Sequence, residues 1–234
     1  MNPSRKTARI VGVLYIIGTA AGILSLVFAG SLYEPDYLTQ VSANQTQIII
    51  GVLLVLTMGF ALAMVPVTLF PIFKNINETL AIGYIVFRGA LEVATYIATV
   101  INMLLLLTLS QEFVQSGAPV GSAFETLGAL FQEADVWIND VRILVFSLSA
   151  LILNYILYKP KLIPRWLSGW GFVGAGLHFV EGVLGLFGLL TGMSTLGTIM
   201  ALPIGLQEMV FAVWLIVKGF NPSAIAAESA AADR

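Results

Sequence analysis

Long apolar runs separated by short polar connections organise the chain. They cover residues 10–29, 48–70, 80–109, 137–158, 166–190 and 198–217. Each is about 20 residues or longer, which as a helix crosses the roughly 30 Å of hydrocarbon in a bilayer. None alternates with period 2 in the manner of the roughly 10-residue strands of a membrane barrel, so the pattern predicts helices. The first run follows Ser4-Arg5-Lys6-Thr7-Ala8-Arg9 as a secretory signal would. Its length exceeds the roughly 7–15 residues of a signal's apolar region, so it reads as a retained span. The expected fold is all-α: a polytopic membrane helical bundle of six transmembrane helices, one domain over residues 1–220 with a disordered cytoplasmic tail at 221–234.

The polar connections give this bundle a direction. Arg5, Lys6 and Arg9 precede the first run, and Lys74 lies between the second and third. Lys159, Lys161 and Arg165 lie between the fourth and fifth, and Lys218 and Arg234 follow the sixth. The alternate connections, 30–47, 110–136 and 191–197, hold no Lys or Arg but carry Glu34, Asp36, Glu112, Glu125, Glu133 and Asp135. Lysine and arginine are retained on the cytoplasmic side, so both termini should be cytoplasmic, in an integral multi-pass protein of the cell membrane. A missed or extra span would break the alternation. Short proline-marked turns at Pro71 and at Pro160 and Pro164 join neighbouring helices, and Trp166 and Trp170 are placed for an interfacial aromatic belt. In the outer segment 122–135, Phe124, Leu127 and Phe131 recur at helical intervals, so it either lies on the interface or extends the fourth span. Gly219 is placed to cap the sixth.

Composition agrees with the pattern and removes further options. Hydrophobic residues make up 58% of the 234 and charged ones 10%, with mean hydropathy +0.93. A soluble domain carries about a quarter charged residues. The net charge of −2 without a long basic run argues against nucleic acid as a partner. The lack of cysteine excludes disulfides, thiol relays and thiolate metal sites, and the single histidine, His178, excludes centres needing several imidazoles. No cofactor is predicted.

Several stretches resemble a known family. The opening Arg5-Lys6-Thr7-Ala8-Arg9-Ile10-Val11-Gly12-Val13-Leu14-Tyr15, Phe87-Arg88 with Glu92, Ile163-Pro164-Arg165-Trp166-Leu167-Ser168-Gly169, and Glu208 through Trp214-Leu215-Ile216-Val217-Lys218-Gly219 are similar to the bacterial and archaeal membrane family known as domain of unknown function 4386. The resemblance covers nearly the whole chain and implies a membrane fold, with no activity or residue role to carry over.

The informative residues are the polar ones inside the apolar runs. A charged side chain at a helix centre costs about 2.5–3.5 kcal/mol on insertion scales and by default marks a functional site. At about 1.5 Å per residue, Arg88 lies about 12 Å and Glu92 about 18 Å into the third run, with His178, Glu181 and Glu208 at similar depths. At about 100° per residue, Tyr84, Arg88, Glu92, Thr95, Thr99 and Asn102 share one face. On the fifth run, Gly171, Gly174, His178, Gly182 and Gly185 form a small-residue stripe where a neighbouring backbone can approach, with Glu181 at its edge. Pro203, five residues before Glu208, frees the carbonyl of Ile199.

Arg88 and Glu92 at i, i+4 make an intrahelical ion pair, which alone would only neutralise both and join helices. With Glu181 and Glu208 ionised and His178 neutral, the group would still carry −2. Arg142 can offset one charge if it reaches inward, against competition from Asp140. At least one carboxyl is therefore expected to hold a proton, or a cation is bound, and protonation is the cheaper because leaving water penalises the charged form. His178 with Glu181 also has a helical metal-ligand spacing, which Glu92 and Glu208 could complete, against the plainer reading of a hydrogen-bonded histidine. Asn154 is expected to bridge helices. Ser168 lies about 15 Å from His178 along one helix, too far for a serine nucleophile.

Three functions are consistent with this. One is a membrane protein whose midplane cavity, lined by Arg88, Glu92, His178, Glu181 and Glu208, binds a small polar or ionic ligand or a proton, for sensing or transport. A second is a structural or assembly subunit for a membrane-protein partner, its buried charges setting helix register. A third is an intramembrane metal-dependent enzyme.

Overall fold

The computed structural model describes residues 3–117, 122–190 and 194–232, which are helical almost throughout and include no strand. In chain order come α1 (Pro3–Phe28), a 3-10 turn (Gly30–Tyr33), α2 (Tyr37–Ala43) and α3 (Gln45–Tyr84). A π-helical stretch (Ile85–Leu91) leads into α4 (Glu92–Ser116), followed by α5 (Ala123–Tyr158), α6 (Arg165–Leu186), α7 (Thr195–Val217) and α8 (Pro222–Ala232).

The 40 residues of α3 are a hairpin. Asn77 alone leaves helical geometry, with φ −162° and ψ 104°. Its Oδ1 accepts the Leu80 N–H at 2.9 Å, capping the second limb. Residues on either side then face one another in reverse order: Phe73 meets Tyr84, Gly89 lies against Pro66, and Gly59 against Tyr96. The same antiparallel order relates the other neighbours. Gly18 and Gly22 of α1 pack on Leu62 and Met58 of α3, Asn102 of α4 reaches Phe131 of α5, and Gly182 and Gly185 of α6 pack on Ile143 and Asp140 of α5. Gly174 of α6 abuts the Ile204 backbone of α7, whose Phe211 returns to Tyr15 of α1 and closes the ring.

Small residues allow these approaches. A Cβ on Gly174 would fall 2.8 Å from the Ile204 nitrogen, so two backbones touch where the glycine stripe of the fifth apolar run predicts it. Large apolar side chains face outward on the other sides of the rods, for example Val27 at 71% exposure and Val173 at 64%. Polar groups such as Arg88, Glu92 and Asn154 are buried. That inversion of the soluble pattern suits a lipid surround.

Four helical stretches are long and apolar enough to cross a membrane: Pro3–Phe28, Gln45–Ser116, Ala123–Tyr158 and Thr195–Val217. The second, 72 residues long, contains the hairpin at Asn77. α6 is not among the four, because the glycines that let it pack, together with His178 and Glu181, lower its hydropathy.

The charged connections segregate to the two ends of the bundle. Arg5 donates to the carbonyls of Val217 and Ile216 at the end of α7, and the Asn221 N–H donates to the Leu162 carbonyl at 2.9 Å. Residues 3–7 of α1 lie with Pro71 and Ile76 of α3 and with α8. The basic turns thus share one end. At the other, Gln132 donates to the Leu32 carbonyl at 3.1 Å and Phe113 stacks edge-on against Phe124.

Two expectations resolve differently. The segment 122–135 extends the fourth apolar run outward, since α5 is continuous from Ala123. The tail expected to be disordered is helical over Pro222–Ala232: alanine is the best helix former, proline suits the first turn, and the Asn221 side chain caps the Ser223 N–H at 3.2 Å. Gly219 ends α7 with φ +75°. Residues 118–121 and 191–193, within two of the connections that hold no Lys or Arg, lie outside the described residues, as does Arg234.

Candidate functional site

Arg88 sits in the π-helical stretch, where the Glu92 N–H donates to the Phe87 carbonyl five residues back. Such widened turns recur at functional sites. The Arg88 guanidinium is 2% exposed and acts as a fork: Nη1 donates to both Glu92 carboxylate oxygens at 3.0 Å, and Nη2 to Glu208 Oε1 of α7, also at 3.0 Å. Glu92 is 1% exposed and Glu208 17%. The Tyr96 hydroxyl donates to Glu92 Oε1 at 2.9 Å. The guanidinium lies 4.8 Å from the ring centre of Phe146 and 5.7 Å from that of Tyr15, within cation–π range. The Tyr15 and Tyr84 hydroxyls are 3.2 Å apart beside it.

His178 and Glu181 form a second pair, Nδ1 to Oε2 at 2.6 Å. The Phe146 ring joins the pairs, meeting His178 edge-on at 5.5 Å between ring centres. Arg88, Glu92, His178, Glu181 and Glu208 together line one space of about 400 Å³. Arg142 does reach inward: it lines the same space, lies 5.3 Å from the Tyr96 ring centre, and donates to Thr99 at 3.1 Å and Asn139.

Arg142, Tyr96, Asn139, Thr19 and Met58 also line a second space of about 420 Å³ toward the acidic end, which Tyr33, Thr99 and Asp135 face. Burial pushes the Asp135 carboxyl up, against the opposing pull of Arg142 and the hydrogen bond from Tyr33. Burial and the Asp135 charge push the Tyr33 hydroxyl up to about 12.

The remaining polar residues of the apolar runs do other work. Thr95 donates to the Glu92 carbonyl at 2.7 Å and Asn102 to the Phe131 carbonyl at 2.9 Å. Asn154 donates to the Ala150 carbonyl, packs against Gly171, and meets Gln207 of α7 at 3.5 Å. Among the described residues no three His, Asp or Glu side chains are grouped to hold a metal ion, so Glu92 and Glu208 do not complete a ligand set around His178 and Glu181. Their oxygens are engaged by Arg88 instead.

Tyr96 and Phe146 carry no signal of their own in the sequence, and Tyr15 figures there only within the family-like opening stretch, because an aromatic residue in an apolar run reads equally as lipid-facing. A search at i+4 from Glu92 would have found Tyr96. Six buried side-chain polar atoms lack partners among the described residues, and two of them lie close to the site: Arg88 Nε and Asp140 Oδ2, the latter against Gly185. Orphans of this kind call for an explanation.

The family described as Domain of unknown function (DUF4386) matches residues 10–219. No curated protein and no solved structure matches the chain.

Proposed function

The chain belongs to that family of unknown function, and we propose that it is a six-span integral protein of the cell membrane, both termini cytoplasmic, whose midplane cavity binds a small polar or ionic ligand together with a proton. One observation carries this reading. Six acidic or basic side chains, Arg88, Glu92, Arg142, His178, Glu181 and Glu208, from the π-helical stretch, α4, α5, α6 and α7, face a single space of about 400 Å³, and a register-setting ion pair needs no such space. The carboxylates exceed the permanent cations there: Arg88 and Arg142 stand against Glu92, Glu181 and Glu208. His178 or one of the carboxyls is the place for a proton that makes up the balance. The hairpin at Asn77 and the segregation of basic and acidic connections support six alternating spans.

The alternative of a structural subunit draws on the same ion pairs, but leaves the space and its second chamber without a use. The test is melting of the purified protein in detergent, with and without a panel of small polar and ionic compounds, across pH. A ligand-induced shift should vary with pH in the wild type and lose that dependence in Glu208→Gln or Glu181→Gln. Variants that keep wild-type stability and an identical pH profile would overturn the proton part of the reading.

A further inference from the structure

A separate space of about 610 Å³ lies at the basic end, between the turn after α5, the start of α6 and the end of α7. Its rim carries Lys161, Arg165 and Lys218, and no acidic residue is among those that line it. None of the three cations makes an ion pair among the described residues. Arg165 is held over the Tyr158 ring, 4.9 Å from its centre. Lys161 occupies left-handed backbone at φ +58°, which a glycine takes freely and a lysine only at a cost. That conformation closes the end of α5, where the Leu162 N–H donates to the Leu157 carbonyl at 3.0 Å, and it leaves Lys161 lining the space. The first turn of α6 starts here without a side-chain cap, so its amide hydrogens add positive potential. The opposing carbonyl end of α7 is already covered by Arg5.

The floor is different in kind. Leu162, Ile163 and Phe220 are buried apolar residues, and Trp214, which also lines the space, has a buried Nε1–H without an acceptor among the described residues. Trp166 beside the rim is 56% exposed, as suits a side chain at the headgroup level. A cationic rim, a free indole donor and an apolar floor at an interface fit an amphiphile with an anionic head. We infer that this space binds the phosphate headgroup of an anionic phospholipid of the cytoplasmic leaflet, with the glycerol and upper chains against Leu162 and Phe220. The inference rests on the membrane orientation proposed above and is independent of the Arg88 cavity.

The test uses the full chain in a non-ionic detergent, melted with phosphatidylglycerol, with phosphatidylcholine, or with inorganic phosphate. Phosphatidylglycerol should raise the melting temperature by about 4 °C or more near saturation, and phosphatidylcholine and inorganic phosphate should not. Lys161→Asn/Arg165→Gln/Lys218→Gln should lose most of the phosphatidylglycerol-specific rise while melting as the wild type does in phosphatidylcholine; asparagine tolerates the left-handed backbone at 161. If the triple variant does not fold, each single variant should retain less phosphatidylglycerol than wild type in native mass spectrometry. Equal rises with both lipids, a full rise with inorganic phosphate alone, or undiminished retention by the variants would each overturn the inference.

Discussion

Arg88 holds two carboxylates from different helices with one guanidinium, and that geometry decides what its loss does. Arg88→Met leaves Glu92 and Glu208 buried without a counter-charge, a change that costs about 3–5 kcal/mol when a buried pair is broken. Arg88→Lys should recover only part, because an ammonium group lacks the fork. Adding Glu92→Gln and Glu208→Gln to Arg88→Met should restore most of the loss, as measured by unfolding in detergent. An unchanged midpoint in Arg88→Met would remove the network from the account of stability. The i, i+4 spacing made Arg88 and Glu92 legible as a pair in the sequence. The third partner, Glu208, lies 120 residues away, and only its similar depth hinted at it.

Asp135 offers a test at the mouth of the second chamber. Its carboxyl is held above the ordinary value of 3.8 by burial, so the folded state binds the proton more tightly than the unfolded chain. That contribution to stability is present below the unfolded value and is lost as pH rises through the folded one. Asp135→Asn should therefore match wild type in acid and become the more stable of the two as pH rises toward neutrality, read by melting across pH. A wild type that gains on the variant as pH rises would contradict the assignment.

Among the elements, α6 shows most plainly what periodicity reveals. Its glycine stripe was readable from spacing alone, and the contacts follow: Gly174 meets backbone, whereas Gly176 on another face has nothing within 4 Å. Gly174→Ala should destabilise by about 1–3 kcal/mol through overpacking, and Gly176→Ala should be neutral or stabilising by up to about 1 kcal/mol. Equal effects in thermal unfolding would place the α6–α7 contact elsewhere. The π-helical stretch was not legible, because residues 85–91 carry no proline or other marker of a widened turn. α8 was missed for a compositional reason, since its Ala and Ser residues read as low-complexity tail while alanine also favours a helix.

For the whole molecule, the hydrophobic pattern carried the all-helical architecture with helices apolar enough to cross a membrane, whereas the orientation inferred from charge stands as a proposal. Side-chain convergence on one cavity needed the fold, since hydropathy reports depth but not which helices are neighbours. The lack of native cysteine makes orientation directly measurable. Glu34→Cys should react with an impermeant maleimide on intact cells, and Lys159→Cys only after permeabilisation. Reaction of both, or the reverse pattern, would overturn the proposed topology of six spans with both termini cytoplasmic.

The central claim, that the Arg88 cavity is a binding site, is tested most directly by unbiased mass spectrometry of small molecules retained by the protein purified in detergent. The wild type should retain a small polar or ionic compound that Glu208→Gln and Arg88→Met release. Retention of nothing, or an identical set in all three proteins, would contradict it.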